Sequence, residues 1–220
     1  MEEIGLTIDG LDIVAEKGNN ILEVALKNNI YIPHLCYYPG LKPSGACRLC
    51  VVEVGGELMP SCLVPVVPRM VVTTNTPQVE RARRAIVELL IADHHYDCRH
   101  CQASGHCELQ RIMARLHISV KQMRPLRWAR KEIPQDTSHP LFDYDPGRCV
   151  LCSICVKTCE RVSSGTINFV GRGYGTKLGF FGDKSRCESC RGCVESCPVG
   201  ALVPKSTLPP STEPSVTTGL

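Results

Sequence analysis

Arg148–Glu160 reads RCVLCSICVKTCE, and Cys187–Leu202 reads CESCRGCVESCPVGAL. Both contain Cys-x2-Cys-x2-Cys-x3-Cys, first as Cys149, Cys152, Cys155 and Cys159, then as Cys187, Cys190, Cys193 and Cys197, with Pro198 trailing the second run. Three thiolates on one tight loop reach three corners of an iron–sulfur cube. The fourth corner faces away and has to be closed from elsewhere. Two such loops related by a pseudo-two-fold close each other's cubes, the last cysteine of each run ligating the other cluster. The expected 4Fe–4S ligand sets are therefore Cys149, Cys152, Cys155 with Cys197, and Cys187, Cys190, Cys193 with Cys159. The alternative is a pair of zinc sites. Zinc favours two separated CxxC knuckles, and a third cysteine two residues further on has no place in that scheme.

Upstream, Cys36, Cys47, Cys50 and Cys62 follow the plant-type pattern of a 2Fe–2S cluster, three near cysteines and one distant, with a lengthened first gap. Gly40, Gly45 and Ala46 let the backbone approach and turn N–H groups toward the sulfurs. A four-cysteine zinc site is again the bland alternative. These three sets take twelve of the 15 cysteines and leave Cys98, Cys101 and Cys107. A fourth 4Fe–4S cluster then needs a non-cysteine ligand. His100 and His106 directly precede cysteines and are poorly placed to share a cluster with them. His94, one turn before Cys98, is the first candidate and His95 the next. The resulting picture is four clusters in a row.

The bulk sequence fits this picture. An odd number of cysteines cannot all pair as disulfides within one chain. The start, MEEIGLTIDG, has neither a basic n-region nor an apolar stretch, so no signal peptide is expected. No apolar run approaches a membrane span. A reducing, cytoplasmic setting is expected. A net charge of +3 gives no reason to expect nucleic acid. Seven Lys/Arg with no acid lie in 111–131, a solvated face, a docking surface for an acidic partner, or an offset for cluster charge.

The chain divides into a small α+β unit over 1–76, a helical segment over 77–137, a two-fold repeated unit over 138–204 and a Pro/Ser/Thr-rich tail over 205–220 expected to be disordered. In the first unit Ile4, Leu6 and Ile8 alternate as a strand and turn at Asp9-Gly10 into a second around Leu11–Ala15. Asn20 caps a helix that ends at Asn28-Asn29, and further strands are expected at Val51–Val54 and Met70–Thr74. Thr76-Pro77 opens a helix to about Ala92 with an apolar stripe at Val79, Ala82, Ile86, Leu89 and Leu90. A helix is expected over Glu108–Leu116 and irregular chain over 117–146. GRGYG at 171–175 follows a short strand, Ile167–Val170, but opens no amphipathic helix, so it reads as a turn rather than a nucleotide loop.

HLCYYPGLKPSGACRLC, HHYDCRHCQASGHCELQ and the two runs above, in that order, resemble the N-terminal iron–sulfur region of the large peripheral-arm subunit of respiratory complex I. They equally resemble the N-terminal region of iron-only hydrogenases and the small diaphorase subunit of NAD-reducing nickel–iron hydrogenases. The resemblance covers 1–204. It implies an α+β chain made of a ubiquitin-like (β-grasp) 2Fe–2S ferredoxin domain, a helical His/Cys 4Fe–4S segment and a two-cluster 4Fe–4S ferredoxin-like domain. That family's second motif is His-x3-Cys-x2-Cys-x5-Cys with the histidine as ligand, which His94, Cys98, Cys101 and Cys107 match. Complex I members usually lack one ferredoxin-type cluster, so two complete runs favour the hydrogenase-like branches. Cys159 is followed by Glu160 rather than proline, a departure without consequence for ligation.

The resemblance implies an electron-transfer subunit, not catalytic alone, of an NAD(P)-linked hydrogenase complex, with electron bifurcation among the modes open to such a complex. Its partners would be a flavin subunit that binds NAD(P), a hydrogenase subunit and soluble ferredoxin, with no nucleic acid and no membrane span. The same role in an NAD-dependent formate dehydrogenase is the near alternative, and a zinc-rich interaction module the alternative of another class.

Overall fold

The computed structural model describes residues 3–95, 97–119, 134–163 (without the Ser163 side chain), 165–181, 187 and 190–205. Most of the basic stretch beyond Ser119 and the expected tail beyond Lys205 lie outside the described residues.

Alternating apolar residues build β1 (Glu3–Ile8) and β2 (Leu11–Glu16), paired antiparallel through the Asp9-Gly10 turn. Asn20 starts α1 (Ile21–Lys27) with a capping box: its side chain accepts the Glu23 amide at 2.9 Å while the Glu23 carboxylate accepts its own amide. After a long loop come β3 (Val51–Val54), β4 (Glu57–Pro60) and β5 (Val71–Thr73). The sheet order is β2-β1-β5-β3-β4, with β1 and β5 parallel and the other neighbours antiparallel. Ile4, Leu6, Ile8, Val52 and Val72 turn one face onto Ile21, Leu22, Val24 and Ala25 of α1. Strand β4 was not anticipated, because Glu57–Pro60 carries no apolar alternation; the Gly55-Gly56 turn alone folds it onto β3.

Thr76 caps α2 (Pro77–Asp93) through its hydroxyl on the Val79 amide, with Pro77 at the first turn. The buried stripe of α2 is Val79, Arg83, Val87 and Ile91. Of the stripe expected from the sequence, Val79 is buried and Ile86 and Leu90 pack against the core, but Leu89, placed inside, is 73 % exposed, and a charged residue takes an inward position. Leucines are not confined to the core of a helix this rich in apolar residues, and period alone cannot say which of two adjacent stripes faces inward. Helix α3 spans Glu108–Arg115.

The repeated unit contains β6 (Phe142–Tyr144), α4 (Ile154–Ser163), β7 (Ile167–Val170), β8 (Lys177–Phe180), α5 (Gly192–Glu195) and β9 (Leu202–Pro204). Strand β6 corrects the expectation of irregular chain over 117–146: it pairs antiparallel with β9, far away in sequence. GRGYG joins β7 to β8 as a hairpin connection, and at Gly171 (φ +80°) a Cβ would lie 2.4 Å from the Gly175 carbonyl oxygen. A second core links α2, α3 and the repeated unit, and Leu35 and Leu49 of the first unit plug into it. Among the described residues no helix is long and apolar enough to cross a membrane.

Polar contacts tie the units together. The Tyr31 hydroxyl donates to Glu108 Oε1 at 2.5 Å, and the guanidinium carbons of Arg111 and Arg115 sit 4.6 and 4.1 Å from its ring centroid. Burial, then the Glu108 carboxylate, pushes the Tyr31 phenol up to about 12, so it stays a donor. Lys157 and Arg161 of α4 donate to the carbonyls of Lys42 and Gly40. Replacing Tyr31 by Phe deletes the donor to a charged acceptor and is expected to cost about 1.5–3 kcal/mol in the free energy of urea unfolding; an unchanged unfolding midpoint would show that the bond contributes nothing.

Candidate metal centres

Site 1 sits where the loop before β3 meets the turn after β4. The Leu35 amide donates to Cys47 Sγ at 3.4 Å and the Cys47 amide to Cys36 Sγ at 3.3 Å. Gly45 makes the close turn: at φ +63° a Cβ would overlap Leu63 Cδ1 at 2.5 Å. Ser61 clamps the Cys50 carbonyl with its amide (3.0 Å) and hydroxyl (2.7 Å), which sets Cys62 beside Cys50. The thiols work in pairs. A hydrogen bond from Cys47, opposed by burial, brings Cys36 down to about 5, and one from Cys62 brings Cys50 down to about 7. The donors Cys47 and Cys62 are pushed up, first by those same bonds. Cys62 feels the charges of Cys50, Cys36 and Cys47, so the four thiols are neighbours.

Site 2 is a cavity walled by Cys98, Cys101, Cys107, His94 and His95, with Val199 reaching in from the repeated unit. His94 ends α2 as its C-cap and is buried; His95 is exposed, and its amide is held by the Gly147 carbonyl at 2.6 Å. His100 and His106 do not line the cavity. His100 points outward onto Asp97 at 2.7 Å, and that bond holds the Asp97 carboxyl below its usual range. Burial raises the Cys107 thiol against the amides of Gln110 and Leu109.

Site 3 brings Cys149, Cys152, Cys155 and Cys197 onto one cavity, and site 4 does the same for Cys159, Cys187, Cys190 and Cys193. The loop at site 3 is tight enough to force Leu151 (φ 51°) and Ser153 (φ 65°) into the left-handed region. Burial raises Cys152 to about 12 and lifts Cys155 as well. The Tyr144 hydroxyl, itself fully buried, hydrogen-bonds Cys149 and favours its thiolate. At site 4 the Thr166 hydroxyl lies 3.1 Å from Cys159 Sγ and 3.8 Å from Cys187 Sγ, and burial raises Cys193 to about 12. Tyr144 and Thr166 went unnoticed in the sequence, where neither belongs to a motif.

The four sites do not lie in a row. Site 3 adjoins each of the others. Cys152 feels the charge of Cys36 in site 1 and Cys155 that of Cys193 in site 4, while Val199 lines both sites 2 and 3. None of the 15 cysteines forms a disulfide. Among the described residues no three His, Cys, Asp or Glu side chains form a group for a single metal ion. The donor set suits iron–sulfur clusters instead: sulfurs spread around a cavity wall and met by backbone N–H groups.

Three family models match in chain order. A 2Fe-2S iron-sulfur cluster binding domain covers 1–77, the NADH-ubiquinone oxidoreductase-G iron-sulfur binding region 83–121, and a 4Fe-4S dicluster domain 148–201. The chain thus holds small mixed α/β iron–sulfur domains of the 2Fe–2S and 4Fe–4S ferredoxin-like kinds. It is 39% identical over 206 residues to the NADPH-Fe(3+) oxidoreductase subunit alpha of Geobacter sulfurreducens, a match covering 92% of this chain and 24% of that protein. It therefore spans about a quarter of the length of the first curated relatives it matches. Against the NAD-reducing hydrogenase HoxS subunit gamma of Cupriavidus necator it is 30% identical over 207 residues, covering 92% of this chain and 87% of that one. A solved NAD+-reducing [NiFe]-hydrogenase in the H2-reduced state superimposes with a TM-score of 0.82 at 32% identity, over 96% of this chain and 90% of that chain.

The crossing of sites 2 and 3 generates a stability test. Gly200 (φ +66°) has room for no Cβ: one would lie 2.6 Å from Ala103 Cβ and 3.5 Å from Cys101 Sγ. Gly200→Ala is expected to cost about 1–3 kcal/mol, read as a lower Tm; an unchanged Tm would show that the Ala103 turn moves aside freely.

Proposed function

This chain belongs to the family of iron–sulfur subunits that includes the HoxS gamma subunit, and we propose that it relays electrons within an NAD(P)-linked hydrogenase complex. Its partners on this reading are a flavin subunit that binds NAD(P), a hydrogenase subunit, and soluble ferredoxin. The proposal assigns one 2Fe–2S cluster to Cys36, Cys47, Cys50 and Cys62, and three 4Fe–4S clusters to His94, Cys98, Cys101 and Cys107; to Cys149, Cys152, Cys155 and Cys197; and to Cys159, Cys187, Cys190 and Cys193. Such clusters supply one-electron transfer. The chain's part is to hold them close, shield them from water and set their charge environment.

One observation carries the reading: each run of three thiols shares a cavity with the fourth cysteine of the other run. That crossed arrangement serves two cubes and has no use in a zinc knuckle. His94 is preferred to His95 because it is buried at the end of α2 on the wall that carries the three thiols. The first unit, read as a ubiquitin-like (β-grasp) domain over 1–76, would be followed by the helical His/Cys segment over 77–137 and the two-cluster domain over 138–204. The place of site 3 between the others makes it the branch point of the relay. Fifteen cysteines kept out of disulfides support a reducing cytoplasm.

The anaerobically purified chain should contain the iron and acid-labile sulfide of one 2Fe–2S and three 4Fe–4S clusters, and zinc with little sulfide would refute the reading. His94→Ala should lose or damage one 4Fe–4S cluster and spare the rest, while His94→Cys offers a four-thiolate site. Unchanged iron content and spectrum in His94→Ala would move the role to His95. The chain should accept electrons from a strong chemical donor yet oxidise NADH only after a flavin subunit is added, since a hydride donor needs a cofactor that splits its electron pair.

A further inference from the structure

The buried stripe of α2 is apolar except for Arg83, only 6 % exposed. Arginine is almost never fully buried without a partner. Here burial lowers its pKa to about 10, so the guanidinium remains charged at neutral pH. Among the described residues Arg83 makes no ion pair. Its Nη2 donates to the Val51 carbonyl at 2.6 Å, and its buried Nε meets no hydrogen-bond acceptor among the described residues.

The backbone explains why that carbonyl is available. The Ser61 amide donates to Cys50, so the Val51 carbonyl, next along β3, points the other way, toward β5. The β3–β5 register sets Glu53 opposite Thr73, the last residue of β5, and carries Val51 beyond the end of that strand. Arg83 replaces the missing ladder donor and thereby holds its charge behind Cys50. The acidic groups that act on it are, in falling order, Cys50, Tyr31 and Asp9. Asp9 is already engaged by the Thr74 amide (2.7 Å) and hydroxyl (2.5 Å), and Tyr31 stays protonated. Site 1 is the anion left for it.

We propose that Arg83 is a positioning residue for site 1, fixing the β3 end that carries Cys50 and raising the reduction potential of the 2Fe–2S cluster there. The inference rests on the assignment of Cys36, Cys47, Cys50 and Cys62 to that cluster. Two ferric ions, two sulfides and four thiolates sum to minus two, and reduction of one iron by one electron, with no proton, takes the sum to minus three. A fixed buried cation favours the more negative state, and the cluster's charge offsets the cost of burying an unpaired guanidinium.

The test is an EPR-monitored redox titration of the full cluster-loaded chain, comparing wild type, R83Q and R83K. Glutamine can still donate to Val51 but carries no charge. R83Q is expected to shift the site 1 equilibrium about tenfold toward the oxidised form, a fall of 59 mV for a one-electron couple, with the 4Fe–4S potentials unmoved. R83K keeps the charge and is expected to titrate close to wild type. An R83Q protein that holds its 2Fe–2S cluster at the wild-type potential overturns the proposal. If R83Q fails to retain the cluster, the lysine variant decides: a wild-type potential supports the charge role, and a tenfold fall overturns it. A wild-type chain with no 2Fe–2S signal is a different result, removing the reading of site 1 and this inference with it.

Discussion

Each of the two late cysteine runs turns its last thiol toward the other run's cavity, and the rest of the molecule is arranged around that exchange. For Cys159 to reach site 4, α4 must pass directly beside α5; a Cβ on Gly192 would lie 2.9 Å from Thr158 Cγ2. For Cys197 to reach site 3, the chain after α5 must fold back, and β9 then finds β6 as its partner. The returning segment also supplies the Pro198 carbonyl that accepts the Glu108 amide, 3.0 Å away, at the start of α3. Sites 2 and 3 thereby share Val199 of this stretch as a wall.

Gathering thiols in a protein interior is electrostatically costly, and the sites meet the cost differently. In sites 3 and 4 burial dominates and raises the thiols, with relief from single groups such as the Tyr144 hydroxyl. In site 1 paired thiols lie under backbone amides and one member of each pair is lowered. Hydrogen bonds to sulfur and local charge are the quantities by which a protein sets cluster potentials. Neighbouring sites thus differ in how burial and hydrogen bonds act on their thiols.

Much of this was legible in the sequence, for identifiable reasons. The order of the iron–sulfur units follows from cysteine spacing, a local property that tertiary structure cannot rearrange. Asn20, Thr76 and Pro77 marked helix starts because capping is local too. Which thiols share a wall was readable where a loop's reach limits the choice, though ligation itself is a matter of proposal. What escaped depends on contacts distant in sequence. Strand β6 exists because β9 returns to it, β4 because a turn folds it back, and the inward position of Arg83 because a carbonyl on β3 lacks a strand partner. The arrangement of the four sites around site 3 was hidden for the same reason.

The exchange of thiols also bears on how the molecule is made. All four cysteines of site 1 belong to the first 62 residues, so a nascent chain carries that set complete while most of the sequence is still unsynthesised. Sites 3 and 4 have no such independence. Site 4 lacks three walls until Cys187, Cys190 and Cys193 are made, and site 3 lacks one until Cys197. Site 2 has its histidines and thiols early but waits for Val199 to close it. The order of synthesis thus gives site 1 its four cysteines first and completes the walls of sites 3 and 4 only with the second run.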